Sequence, residues 1–543
     1  MKAAAAPASK RDAWSFALVA GLLLLTFLLG CFRMWDFDVW WHLGAGRLIL
    51  ERGAVPRVDV FTYTNAGRPW IDVYWFFQII VALLYRGGGV PALVLLKALV
   101  GTATVALALA ARRPGSRVWP ACAVWLPAVV VFSGRLCERP ELFSLLFLAA
   151  FLAVLARAPE RPRLLWLLPV IELVWVNSHG FFVLGLFVLA AFAAERIFDR
   201  VRRVPAAAPH PPLRTFLLAS GATIGVCMLN PYGWGAFQLP LEQFHKLGST
   251  GVYRANIGEL KSIGDFIARA GVNNPYLLGF LLLLALGAAS FALLFRRVGL
   301  RLFRSLLFVA FAYLGWQATR NSALFALVAA VVTVWNVEEA HLLVPAQPAP
   351  LRGRRSRRSV RKTSRPARNM ELLVLVGIGL LAIATLSGGL YSWAGEGRTI
   401  GLGERPHWYA HEACEFLSGK DTPERIAAFN LGQAAVCMAH TGERRKQFMD
   451  PRLEVNSPET FERYLAGIRA LWHGDVGWAA PLGIDPARPD EMPALLIERG
   501  ALVRAISVLA RDPLWRCVHA DPVAVVFVAT AFAEAHHLPA ASP

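Results

Sequence analysis

The chain has 543 residues, of which 56% are hydrophobic. Soluble chains carry roughly 45–50% apolar residues, so an ordinary soluble globular protein is excluded. A formal charge of +19 on a soluble protein would suggest nucleic acid. Here the Arg and Lys residues cluster in short loops between apolar runs, which is the positive-inside pattern of membrane proteins, and no nucleic-acid partner is expected. Seven cysteines without a Cys-x-x-Cys pair give no zinc or thiol-redox framework.

Taken in chain order, the first apolar run covers 14–32, after Lys10 and Arg11. It is too long for a cleaved signal core and no Ala-x-Ala site follows, so it reads as a signal anchor that remains in the membrane. Residues 33–89 form the first loop on the far side. Its stretch from Val73 to Arg86 is apolar but short of the ~20 residues that a crossing needs. That stretch is expected to lie along the outer interface or to re-enter. Further spans are expected at 90–111, 119–134, 141–156, 164–177, 180–195, 214–229, 275–295, 304–318, 322–336 and 371–390, making eleven with the first. Five basic loops, near Arg112, Arg157, Arg196, Arg296 and the dense run Arg352–Arg368, then share the cytoplasmic side with the N-terminus.

The turns left on the opposite side are 135–141, 177–180, 230–274 and 319–321. They carry Arg135, Arg139, Glu141, Asn177, His179, Asn230, Tyr232 and Arg320. The first loop adds Asp36, Asp38 and His42 to the same side. Carboxylates at the mouth of a membrane helix are costly and usually have a partner or a task. A solvated pair of acids at a helix end is the plainer alternative. His42 and His179 have no third ligand at fixed spacing, so a packed histidine is favoured over a metal ligand. A divalent metal is possible on residue type but unsupported, and no cofactor is expected. Asn230-Pro231-Tyr232-Gly233 also reads as a plain turn.

With these residues in view, the segment from Asp36 to about Leu84 resembles the first outer loop of bacterial polytopic membrane glycosyltransferases of the GT-C superfamily. These are similar to the protein O-mannosyltransferases and the lipid A aminoarabinose transferases. Arg139-Pro140-Glu141, Trp175-Val-Asn177-Ser-His179-Gly180 and Asn230-Pro-Tyr232-Gly-Trp234 resemble motifs of the same group, in order and on one side. The resemblance covers roughly 14–340. It implies a donor sugar on polyprenyl phosphate, transfer with inversion at the outer face of the cell's inner (plasma) membrane, and a loop aspartate as base. Asp38 is the first choice for that base and Asp36 the second; the family often shows Asp-Glu or Glu-Asp where this chain has Asp-Phe-Asp. Donor phosphate and substrate contacts would then fall to Arg139, Arg320, His42, His179, Glu141, Asn177, Asn230, Tyr232 and Arg135. Arginine's planar fork suits phosphate, and Arg320 is the strongest of the three arginines, because it interrupts an otherwise apolar stretch. The partners would be membrane lipid, the polyprenyl-phosphate-sugar donor, and an acceptor glycan, lipid or protein.

The expected fold class is thus an α-helical polytopic membrane protein, GT-C-like over 1–340, with a C-terminal soluble α/β domain. Residues 341–370 read as a basic, disordered cytoplasmic linker, 371–390 as the final span, and 391–543 as an extracytoplasmic domain. Within that domain strands are expected at 425–430, 447–450 and 502–509, a helix from Pro458 to Trp472, and a hairpin over 515–528. Cys414, Cys437 and Cys517 allow one disulfide in an oxidising compartment; three buried thiols are the alternative. Asp450, Arg452 and Glu454 suggest a salt-bridged loop before a ligand site. The rival function is a transporter or lipid flippase with an outer domain, which would show internal repeats and charges at mid-membrane. A non-catalytic sensor is a third class.

Overall fold

The computed structural model describes residues 10–202, 210–246, 251–342, 365–475 and 477–543. Most of the expected 341–370 linker therefore lies outside the described residues. Helix α1, Lys10–Gly30, is an apolar run of 21 residues; at ~1.5 Å per residue it spans about 31 Å, the thickness of a hydrocarbon core. Helix α2, Asp38–Arg52, begins with an acidic residue, which complements the positive helix end. It stops at Gly53, whose left-handed conformation (φ 65°) lets its N–H close on Ile49 O.

Helix α3, Trp75–Ala110, is continuous over 36 residues except for a kink at Gly89 (φ 58°, ψ −152°). Three consecutive glycines precede Pro91 there, which lacks an N–H and cannot continue a regular helix from behind. The short apolar stretch at 73–86 is thus the first limb of this helix. Gly30 at the end of α1 packs on Ala98, so the first limb extends past the end of α1 on the side of the first loop.

Helices α4 (Val118–Ser133), α5 (Glu141–Arg157), α6 (Leu167–Val176), α7 (Val183–Arg202) and α8 (Leu213–Val226) follow. Helices α9 (Gly235–Lys246), α10 (Val252–Asn256) and α11 (Ile263–Ala270) fold the long segment 230–274. Helices α12 (Pro275–Arg297), α13 (Leu302–Gln317), α14 (Ser322–Leu342) and α15 (Arg365–Leu386) complete the bundle, and α16 (Gly389–Trp393) leads out of it. A helix occupies each of the eleven expected spans. Six helices among the described residues are long and apolar enough to cross by themselves, whereas α4, α8 and α13 are shorter apolar helices. Helix α14 is almost wholly buried and forms the axis against which α4, α12 and α13 pack. At its C-terminal end Glu339 pairs with Arg113, Arg301 and Arg304, so one acid gathers three of the basic-loop arginines around it.

The C-terminal domain holds α17 (His411–Leu417), α18 (Leu431–Thr441), α19 (Pro458–His473), α20 (Val503–Leu509) and α21 (Thr530–Ala535) around a five-stranded sheet. Strands β1 (Arg425–Ala428), β2 (Lys446–Gln447), β3 (Ala494–Glu498), β4 (Trp515–Ala520) and β5 (Ala524–Ala529) lie in the order β2-β1-β3-β5-β4. β1 is parallel to β2 and β3, and the β4–β5 hairpin is antiparallel. The expected strand at 502–509 is instead helix α20, because its buried positions Ala505 and Leu509 are four apart, on one helical face. The missing strand is β3, a continuous apolar run that is buried on both faces. The strand expected at 447–450 is reduced to Lys446–Gln447. Cys414 and Cys437 form a disulfide between α17 and α18, and Cys517 is a buried free thiol.

The sheet does not end at β2. Thr62 in the first loop bridges Gln447 in parallel, with Tyr63 N–H on Gln447 O (3.0 Å) and Gln447 N–H on Phe61 O (2.8 Å). This pairing covers an edge that would otherwise be exposed. Beside it, fully buried Arg452 bonds Asp450 and Asp59, and Asn65 bonds Asn456. Helix α2 is wedged between α3 and α18: Gly46 faces the Gln78 carbonyl, and a Cβ on Gly44 would lie 3.2 Å from Met438 O. The first loop and the C-terminal domain are therefore one packed body.

Candidate functional site

The site begins where α1 ends. Backbone pairing of residues 31–34 with 399–405 fixes the chain leaving α1. Trp408 Nε1 then donates to Trp35 O (2.7 Å) and the Tyr409 hydroxyl to Asp36 O (3.0 Å). Asp36 Oδ1 accepts the Asp38 N–H (2.9 Å), satisfying one free donor at the start of α2. Asp36 Oδ2 accepts from Arg139 Nε at 2.5 Å. Both oxygens of buried Asp36 are thus occupied, one by the helix start and one by a guanidinium.

Asp38 differs. It pairs with Arg139 Nη2 at 3.2 Å, and its side chain keeps 27% exposure. Burial raises its pKa to about 7; Arg139 pulls it down, and the negative charges of Asp36 and Glu259 push it up. The turn after α4 supplies Arg139 and Arg135. Arg139 Nη1 reaches Glu259 at 3.1 Å, and Arg135 holds Glu259 (2.9 Å) and Glu141 (2.8 Å). These two arginines hold the Glu259 carboxyl well below the usual carboxylate range, against the effect of burial. The three carboxylates Asp36, Asp38 and Glu259 converge on the guanidinium of Arg139.

Arg320, in the turn between α13 and α14, makes no ion pair among the described residues. Its turn is held by Thr319, which donates its N–H to Lys261 O (2.9 Å) and its hydroxyl to Glu259 O (3.1 Å). The charge of Arg320 acts on Glu259 and His179. Burial first, and then Arg320, lower the His179 pKa to about 3, so the ring is neutral. His179 Nδ1 accepts the Phe181 N–H (3.3 Å) and lies 2.9 Å from Ser144 Oγ, which itself receives Trp175 Nε1. With Nδ1 accepting, the proton resides on Nε2, leaving a neutral donor. His42 is buried among Trp41, Tyr74 and Phe77, and burial with Arg139 and His179 pushes its pKa well down.

The remaining expected residues lie to one side. Asn177 binds Trp75 Nε1 (2.9 Å) and Leu229 O (3.0 Å). Asn230 is engaged in its own turn, with Cys227 O, Gly233 O and Tyr232 N–H, and the Tyr232 hydroxyl reaches Pro56 O (2.8 Å). Asn177 and Asn230 line a cavity of about 550 Å³ with Trp75, Phe76 and Met228. Among the described residues no three His, Cys, Asp or Glu side chains are arranged to hold a metal ion.

Sequence reasoning missed Glu259, which closes the arginine cluster from the long segment 230–274. It also missed a second acid pair. Asp72 is fully buried; Oδ1 accepts Gln78 Nε2 (2.9 Å) and Tyr74 N–H, while Oδ2 has no partner. Burial, with Glu454 nearby, raises the Asp72 pKa to about 8. The only signal was Asp72 and Glu454 themselves, in segments nearly four hundred residues apart.

No family model matches the chain, and no curated protein matches it. Its structure is similar to the crystal structure of the Archaeoglobus fulgidus oligosaccharyltransferase in the apo form. The TM-score is 0.57 at 12% sequence identity, over 93% of this chain and 73% of that one. At that identity the likeness concerns the fold alone: a mostly helical part with helices able to cross a membrane and a small C-terminal sheet. It does not single out the bacterial subfamily that the loop motifs resemble.

Proposed function

We propose that this chain is a membrane glycosyltransferase that moves a sugar from a polyprenyl-phosphate donor to an acceptor at the outer face of the inner (plasma) membrane. The observation that carries this reading is the contrast between Asp36 and Asp38. Asp36 has both oxygens occupied; Asp38 is partly open, and burial raises its pKa to about 7. A general base works best when its pKa lies near the operating pH. Asp38 takes the proton of the acceptor hydroxyl or amine as that group attacks the sugar carbon, and the configuration inverts. The bond to the lipid phosphate breaks, and the leaving phosphate needs a cation. Arg135 and Arg139 are committed to carboxylates, so this task falls to Arg320, with neutral His179 as a nearby donor. The Cys414–Cys437 disulfide agrees with a C-terminal domain in an oxidising, extracytoplasmic compartment, and the N-terminus is then cytoplasmic.

The test is turnover by the full-length protein in proteoliposomes loaded with polyprenyl-phosphate-linked sugars. A glycosyltransferase releases free polyprenyl phosphate as the acceptor gains sugar. A flippase moves the intact donor between leaflets without releasing it, and a sensor does neither; either result would remove this reading.

A further inference from the structure

A second cavity, of about 190 Å³, opens where the chain leaves α16, and it includes none of the carboxylates around Arg139. Trp35, three arginines (Arg33, Arg398 and Arg405) and one carboxylate, Glu396, line it; the Tyr276 hydroxyl donates to Glu396 at 2.8 Å. Arg398 is neutralised by Glu396 at 2.8 Å and donates to Ser133 O and Gly134 O. Arg33 and Arg405 have no carboxylate within ion-pair distance among the described residues. Arg33 uses one N–H on Glu404 O (3.2 Å). Arg405 stacks over the Trp408 ring at 4.0 Å, which leaves its N–H edge free.

The backbone is arranged to leave space for these charges. A Cβ on Gly397 would lie 3.1 Å from Arg405 Nη2, and one on Gly401 would lie 3.0 Å from Arg33 Cγ. The N–H groups of Gly397, Arg398 and Thr399 have no acceptor among the described residues. Two uncompensated guanidinium groups facing one cavity repel each other, and unpaired backbone donors beside them add to the positive potential. An anion with several acceptor oxygens relieves both. The position suits a membrane surface. The cavity lies just beyond Gly30, the end of α1, and beside α16, whose Trp393 is 49% exposed, as interfacial tryptophans are.

We propose that this cavity binds a phosphate group, held by the forks of Arg33 and Arg405 and the N–H groups of 397–399, at the level of the outer-leaflet headgroups. Planar guanidinium pairs with phosphate in this bidentate way. The site is independent of the glycosyltransferase reading, because it uses none of the residues assigned to transfer.

The test is a binding titration of full-length protein, purified in detergent and stripped of lipid, with dihexanoyl phosphatidylglycerol and separately with inorganic phosphate. It is run in an Arg320→Gln background, so that binding at the proposed donor site does not contribute. The phospholipid should bind. Arg405→Gln should weaken it by about tenfold, and Arg33→Gln with Arg405→Gln should abolish it. Among the described residues the Arg405 guanidinium makes no hydrogen bond and loses only its stacking on Trp408, so Arg405→Gln alone should melt within a few degrees of its parent. Equal affinity for inorganic phosphate would keep the site and assign it to free phosphate rather than lipid. Binding of either ligand that is unchanged in both variants, or no binding of either ligand before substitution, would overturn the proposal.

Discussion

At the scale of single residues, Asp38 holds its proton to higher pH than an ordinary aspartate. Its pKa is raised from 3.8 to about 7, first by burial. A base must be deprotonated to work, so kcat/KM should fall as pH drops below about 7 and level off above it. The same shift has a stability consequence of opposite sense. A raised folded-state pKa favours folding while the group is protonated, and that contribution is lost as pH rises from about 4 to about 7. Asp38→Asn should therefore raise the melting temperature at pH 8 while leaving it unchanged near pH 4. An equal shift at both values would show that Asp38 is not perturbed in the fold. Asp36, Asp38, Arg139 and Arg320 were legible in the sequence because each is a charged residue at the end of an apolar run on one side. Glu259 was not, since it reaches Arg135 and Arg139 only after the segment 230–274 folds back across more than a hundred residues.

At the scale of elements, the tightest joint is α2 against α3 and α18. The run Gly44-Ala45-Gly46 brings backbone to backbone, and a Cβ at Gly46 would collide with the Gln78 carbonyl. Gly46→Val should destabilise the protein by about 1–3 kcal/mol through overpacking. Thermal unfolding in detergent measures this, and an unchanged melting point would contradict the packing described. The helices were the legible part of the fold, because apolar length and basic loops are strong signals. The C-terminal sheet was less legible. Short apolar runs do not distinguish strand from helix, which is why 502–509 has the pattern of a strand and Ala494–Glu498 does not stand out as one. The strand-like pairing of Thr62 with Gln447 was beyond sequence reasoning, because each segment finds its partner only in the assembled body.

At the scale of the whole molecule, the C-terminal domain is part of the site's architecture. Tyr409 and Trp408 hold the backbone of Trp35 and Asp36, and Arg452 ties Asp450 to Asp59 with no solvent exposure. Removing that guanidinium leaves two carboxylates buried together. Arg452→Met should cost about 3–5 kcal/mol, read as loss of the folded fraction or a much lowered melting point. A variant with near-normal stability would show that the first loop and the domain are not joined there.

The central claim is that Asp38 is the acceptor base and Asp36 its support. The most direct measurement is sugar transfer by Asp38→Asn protein in proteoliposomes, with donor binding measured in parallel and Asp36→Asn alongside. Asn is nearly isosteric with Asp and cannot take the proton. The account predicts that Asp38→Asn still binds donor but loses transfer on the order of 10²–10⁴-fold. It predicts that Asp36→Asn, which weakens the hold of Arg139 and the start of α2, lowers both stability and transfer. Robust transfer by Asp38→Asn protein would contradict the account.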